Sequence, residues 1–185
     1  MKNSQPKFFR TLVFACGLIA LHASTTAQTN GSKNAAPPQQ SIANTPYAIG
    51  AQRNGVVKCI GRINQVTGFV TGSNANSGMV LNSPNAEANQ RIVSSVMEVE
   101  GGGTTGFVST SFAPGPGVNE CSATYDAVTY WTASCAQVAS ANFAAFKFTR
   151  PLLKAISILE SGQFAKVFLM PAGTGCVSIK KEMLF

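Results

Sequence analysis

Four of the five cysteines in this 185-residue chain, Cys59, Cys121, Cys135 and Cys176, lie beyond residue 58. No two of these four have the CxxC spacing of a redox motif or a zinc knuckle. In an oxidising compartment, four such cysteines predict two disulfides, which restrict the folds open to a chain of this size. The prediction therefore depends on whether the chain is exported.

The N-terminus is typical of a signal peptide. Three basic residues and no acidic residue precede the apolar run 11–21, and this run of 11 residues is followed by small residues around Ala27. Such a run is too short to span about 30 Å of hydrocarbon. We expect cleavage after Ala27, export of the mature chain to the periplasm or the extracellular space, and no stable membrane insertion after cleavage.

Cleavage changes the charge and the chemistry of the chain. Loss of residues 1–27 removes three of the 14 basic residues and leaves 11 against the same 7 acidic ones, a net charge of +4. These cations form no run longer than two, whereas nucleic-acid binding favours clustered basic residues, so we expect no nucleic-acid partner.

His22, the single histidine, is also lost, and Ser-His-Asp catalysis and histidine zinc sites need an imidazole. We therefore expect no catalytic residue, cofactor or metal ion.

Composition divides the mature chain into two parts. Residues 28–54 are small, polar and proline-containing, which predicts a flexible leader. Residues 55–185 are predicted to form a single α+β domain, an antiparallel sheet with two helices, stabilised by two disulfides. For the pairing we favour a local Cys121–Cys135 bridge and a long-range Cys59–Cys176 bridge.

Local patterns in the first part of the domain predict two strands and a helix. Residues 56–60 and 66–71 are rich in β-branched side chains and are interpreted as short strands. Ser83 and Pro84 are typical of a helix start, and apolar positions at helical spacing continue to Met97. The glycines of residues 101–103 are expected to end this helix.

The second part of the domain has clearer signals. Residues 106–112 and 121–131 are predicted strands, and a Ser-x-x-Gln capping box at Ser134 predicts a helix. Residues 152–160 fit either a helix or a strand, with the turn at residues 161–162 favouring a hairpin. Residues 175–185 are predicted to close the chain as a strand.

Tyr125, Tyr130 and Trp131 form the one aromatic cluster, and Asp126, the only aspartate, lies among them. Alternation along a strand places Tyr125 and Trp131 on one face and Asp126 and Tyr130 on the other. One face is then expected to be core and the other a contact surface, since Trp and Tyr are enriched where partners bind. All four residues are candidate partner contacts, and the pattern leaves open which of them are buried.

Two other patterns bear on catalysis. Ser178 and Lys181 form an S-x-x-K pair, but its companion motifs are missing, and residues three apart on a strand face opposite sides. Glu98 and Glu100, predicted to lie at a helix end beside the glycine run, are the other carboxylates considered with Asp126 for hydrolysis.

Three functions are compatible with these patterns. The favoured one is an exported, non-enzymatic binding or accessory protein of the cell envelope, whose partner is another envelope or secreted protein. The alternative is an inhibitor or immunity protein that blocks an exported enzyme, with residues 113–120 or the glycine run as its loop. A carboxylate-based hydrolase is the second alternative.

Overall fold

The computed structural model describes residues 44–117 and 120–185. The predicted signal peptide and most of the predicted leader lie outside these residues. The three α-helices are α1 (Pro46–Arg53), α2 (Ile60–Thr71) and α3 (Cys135–Asn142). The eight strands are β1 (Ala75–Leu81), β2 (Val93–Gly101), β3 (Thr104–Pro114), β4 (Cys121–Trp131), β5 (Lys147–Pro151), β6 (Ser157–Ser161), β7 (Ala165–Ala172) and β8 (Gly175–Leu184).

All eight strands belong to one antiparallel sheet in the order β1-β2-β3-β4-β8-β7-β6-β5. The sheet consists of two four-strand meanders, and β4 pairs with β8 to join them. Gly102 and Gly103 have positive φ angles of 58° and 80° in the turn between β2 and β3. Two consecutive residues with positive φ fit the twist of a tight hairpin, so the glycine run turns the chain there.

The helices cover one face of the sheet and divide the core into two clusters. Residues of α1 and α2 pack on the first meander, around Met97, Phe112 and Tyr125. Val138 of α3 and the following Phe143 pack on the second meander with Trp131, Val167 and Leu169. Strand alternation in β4 puts both clusters on the same face, because buried and half-exposed residues alternate along it.

The two disulfides are confirmed, but the favoured pairing is wrong. Cys59 pairs with Cys121, and Cys135 pairs with Cys176. Each bridge joins the start of a helix, α2 or α3, to one of the two central strands, β4 or β8. The bridges close loops of 62 and 41 residues. Each bridge lowers the entropy of the unfolded chain and so stabilises the fold by about 4 kcal/mol.

The α+β class is confirmed, whereas the predicted helix count and several boundaries are wrong. Three α-helices are present among the described residues instead of two. Neither 56–60 nor 66–71 is a strand, because residues 60–71 form α2, and the predicted helix after Ser83 is a single 3₁₀ turn, Asn85–Glu87, followed by β2. The predicted leader overlaps α1, where Tyr47, Ala48 and Ala51 are buried. Folded structure therefore begins before residue 55.

The later predictions agree better with the structure. Residues 121–131 form β4, and the ambiguous segment ends in the β6–β7 hairpin. Ser134 caps α3 through the predicted capping box, since its hydroxyl accepts from the Gln137 amide and the Gln137 side chain accepts from the Ser134 amide. Within the described residues, no helix is long and apolar enough to cross a membrane.

Candidate functional site

The sheet has one face covered by helices and one face that none of the described helices covers, which we call the free face. Of the four candidate contact residues, Tyr125 and Trp131 lie on the helix-covered face and are buried, at 1% and 8% exposure. Asp126 and Tyr130 lie on the free face, and Tyr130 is 50% exposed. The predicted alternation is confirmed, and it leaves Asp126 and Tyr130 as the two candidates that a partner can reach.

Apolar side chains form a row across the middle of the free face. Phe107 lies opposite Val128, Val128 opposite Ile179, and Ile179 opposite Phe168, so β3, β4, β8 and β7 each contribute one residue. Tyr130 and Met170 extend this row on one side, two residues beyond Val128 on β4 and two residues beyond Phe168 on β7. We call these six residues the free-face patch. Phe107 is 51% exposed and Met170 is 36% exposed.

Gly175 makes room for Tyr130 within this patch. A Cβ atom at Gly175 would lie 2.6 Å from the Tyr130 hydroxyl oxygen and would also overlap the Trp131 carbonyl oxygen. Such contacts are far closer than van der Waals distance, so the side chain of Tyr130 can lie over β8 only because residue 175 is glycine.

Ion pairs border the patch on its other side. The ammonium group of Lys181 lies 2.9 Å from both carboxylate oxygens of Asp126. Lys166 pairs with Glu160 at 3.0 Å, two strands away on the same face. Lys181 therefore neutralises the charge of Asp126. The ion pair adds polarity at the border of an apolar surface.

A second polar cluster lies between the two halves of the core on the helix-covered face. The Tyr125 hydroxyl donates to Glu182 Oε2 at 2.6 Å, and Lys180 Nζ lies 3.1 Å from the same oxygen. Lys180 Nζ also lies 5.4 Å from the ring centres of Phe69 and Tyr125, within the range of cation–π attraction.

This cluster is arranged for stability more than for proton transfer. Burial raises the pKa of the Tyr125 hydroxyl far above its ordinary value, and the hydrogen bond to Glu182 and the charge of that residue raise it further. Tyr125 therefore stays protonated and serves as a donor. The adjoining cavity, lined by Gln65, Phe69 and Leu184, has a volume of about 130 Å³, below the 300–1,000 Å³ typical of ligand pockets.

The remaining candidates do not converge on one site. Ser178 is buried and accepts a hydrogen bond from the indole of Trp131, whereas Lys181 lies on the free face, so the S-x-x-K pair spans opposite faces as predicted. Glu98 and Glu100 lie on β2 and not at a helix end. In the part of the chain that is described, no three His, Cys, Asp or Glu side chains are grouped to hold a metal ion.

Four patch residues, Phe107, Phe168, Met170 and Ile179, lie on strands for which the sequence patterns predict no contact surface. Alternation along the predicted strand 106–112 contains the signal for Phe107, because Val108, Thr110 and Phe112 share the opposite face. The other three join the patch only through the pairing of β8 with β4 and β7. That pairing links distant parts of the chain, and no local pattern encodes it.

The chain was compared with protein-family models, curated proteins and solved structures, and none of the three comparisons found a match.

Proposed function

We propose that the mature chain is an exported, non-enzymatic accessory protein that binds another envelope or secreted protein through the free-face patch. The observation that carries this proposal is the exposure of Phe107, Tyr130 and Met170 in one contiguous apolar patch. Aromatic residues and methionine are enriched at the centres of protein interfaces, and a large exposed apolar patch is uncommon on a monomer without a binding role.

The dimensions of the free face fit a protein partner. Eight strands about 4.8 Å apart make a sheet about 35 Å wide. The strands β2, β3, β4 and β8 have 9, 11, 11 and 10 residues, which at about 3.3 Å per residue gives a length of about 30 Å. This face exceeds the roughly 800 Å² that each partner contributes to a standard interface.

The border of the patch supports a specific interface. The Asp126–Lys181 and Lys166–Glu160 pairs place both signs of charge beside the apolar row. A polar rim around an apolar centre is the usual anatomy of a protein interface. Because each of these four charges already has a partner, this side of the patch repels neither acidic nor basic proteins strongly, and shape and apolar contact would dominate recognition there.

Export is part of the same proposal. Two disulfides, Cys59–Cys121 and Cys135–Cys176, indicate folding in an oxidising compartment. The predicted signal peptide supplies the route, and cleavage after Ala27 would release the described domain intact. An inhibitor of an exported enzyme is a narrower form of this proposal, in which the bound partner is an enzyme that loses activity.

Site-specific cross-linking tests the proposal. A photoreactive phenylalanine analogue at Phe107 should give a discrete covalent adduct with one envelope or secreted protein in the producing cell. The same analogue at Phe148 is the control, because Phe148 is 63% exposed but lies opposite Leu159, away from the free face. Equal adducts at both positions, or an adduct only with a second copy of this chain, would contradict the proposal.

A further inference from the structure

The two edge strands of the sheet differ in how well they are protected from pairing. The edge strand β5 carries Lys147, Arg150 and Pro151, and its register shifts between Phe148 and Arg150. Charge, proline and a bulge are the features that block further pairing at an edge. The edge strand β1 has none of them, and all seven of its residues pair with β2 in unbroken register, from Ala75↔Glu100 to Leu81↔Ser94.

The unprotected edge borders a groove. The wall opposite β1 is formed by α1, through Tyr47, Gly50 and Asn54, and the groove has a volume of about 390 Å³. The Tyr47 hydroxyl donates to Asn76 Oδ1 at 2.9 Å and so fixes the wall to the strand. A helix beside an open strand edge is suited to a single extended segment, because a second sheet with its own helices would meet α1.

The charges beside this edge define the chemistry of the segment. Glu98 and Glu100 are exposed on the free face of β2, opposite Ser77 and Ala75 of β1. Neither carboxylate forms an ion pair with another described residue. Because Ala75 and Ser77 have short side chains, a lysine or arginine on an added strand can extend across β1 to these carboxylates.

We propose that β1 binds an extended segment of a partner polypeptide as a ninth strand, with basic side chains at alternate positions that meet Glu98 and Glu100. This site borders the free-face patch, because Glu98 lies opposite Phe107, but the added segment would pair with β1, two strands away from Phe107. Main-chain hydrogen bonds to β1 would supply most of the affinity, and the two carboxylates would select the segment, as in other cases of strand addition. A second copy is disfavoured as the occupant, because β1 itself has no basic residue and β5 is bulged.

A pair of synthetic peptides tests the charge selection. A fluorescent seven-residue peptide that alternates lysine with threonine or valine should bind about tenfold more tightly at low salt than the same peptide with glutamate in place of lysine. The double variant Glu98→Gln/Glu100→Gln should lose this preference. Glu120→Gln is the matched control, since Glu120 is exposed just before β4, at the opposite end of the strands from Glu98 and Glu100, and it should keep the preference.

Backbone methylation tests strand addition itself. An added strand directs the N–H groups of alternate residues toward its neighbour. Methylating one alternate set of backbone nitrogens in the lysine peptide should abolish binding, and methylating the other set should leave it unchanged. Equal binding by both methylated peptides would mean that charge attraction alone holds the peptide, and it would overturn the proposal. Failure of the unmethylated lysine peptide to bind would also overturn it. Occupation of β1 by a second copy, seen as a dimer in sedimentation, would also overturn it.

Discussion

The indole N–H of Trp131 donates a hydrogen bond to the hydroxyl of Ser178, with 2.8 Å between nitrogen and oxygen. The two residues lie on β4 and β8, the strands that join the two meanders, and both are buried. This bond therefore links the halves of the sheet within the core.

Ser178→Ala removes the acceptor and leaves the indole N–H buried without a partner. We expect a loss of about 1–3 kcal/mol in the free energy of unfolding, the usual cost of such a group. Urea unfolding followed by the fluorescence of Trp131, the single tryptophan, measures it. Ser109→Ala is the control, because Ser109 is half-exposed on the free face. This substitution should change stability by less than about 0.5 kcal/mol. Equal effects of the two substitutions would mean that the bond contributes nothing.

Tyr125 predicts a loss of stability in alkaline solution. Its pKa is raised in the folded state by burial and by Glu182, so the folded protein keeps a proton that the unfolded chain releases above about pH 10. The contribution of the Tyr125 proton to the free energy of unfolding is complete below that pH. It declines as the pH rises beyond it, by at most about 1.4 kcal/mol per pH unit.

Comparison of wild type with Tyr125→Phe isolates this effect, because all other titrations are shared. Urea unfolding between pH 9 and 11 should show a shallower decline for the variant. Tyr47→Phe serves as a second comparison, since burial also raises the pKa of Tyr47. Parallel curves for wild type and Tyr125→Phe would show that Tyr125 ionises as easily in the folded protein as in the unfolded chain.

Two glycine substitutions should change stability in opposite directions. A Cβ atom at Gly78 would overlap the carbonyl oxygen of Val96 in the neighbouring strand, so Gly78→Ala should destabilise the β1–β2 pair. A Cβ atom at Gly50 in α1 would lie 3.6 Å from Val80 Cγ2, an ordinary contact. Gly50→Ala should therefore stabilise the protein by about 0.5–1 kcal/mol through helix propensity. Thermal unfolding of both variants checks the signs.

The disulfides predict the result of a peptide map. Digestion without reduction should release Cys59 linked to Cys121 and Cys135 linked to Cys176. The double variant Cys59→Ala/Cys121→Ala should lose about 4 kcal/mol of stability on loop entropy alone. A map with Cys121 linked to Cys135 would contradict the described placement of α2 and α3 on the sheet.

The errors in the predicted elements have specific physical causes. Ile60, Ile63, Val66 and Val70 are spaced as a helix requires, but their β-branched side chains favour strands, and this preference hid the periodicity of α2. Packing of that face against the sheet overrides the local preference. Local composition alone therefore gave the wrong element.

The sequence pattern does not predict strand β2, because one of its buried positions carries a polar residue. Ser95 is 1% exposed, and its hydroxyl lies 2.7 Å from the Thr110 hydroxyl on β3. Because this cross-strand partner satisfies Ser95, a polar residue occupies a core position, and the apolar alternation expected of a strand is broken there. The disulfide pairing and the free-face patch depend on the β4–β8 contact, which only the assembled sheet provides.

The affinity of variants for the cross-linked partner shows whether the free-face patch is a binding surface. For purified wild type, Phe107→Ser and Phe148→Ser, the dissociation constant should be measured by titration calorimetry beside the free energy of unfolding. Phe107→Ser should weaken binding by about tenfold or more, the effect of removing an interface aromatic, whereas Phe148→Ser should bind as wild type does. Unchanged affinity for Phe107→Ser, with all three proteins folded, would contradict a contact function for the free face.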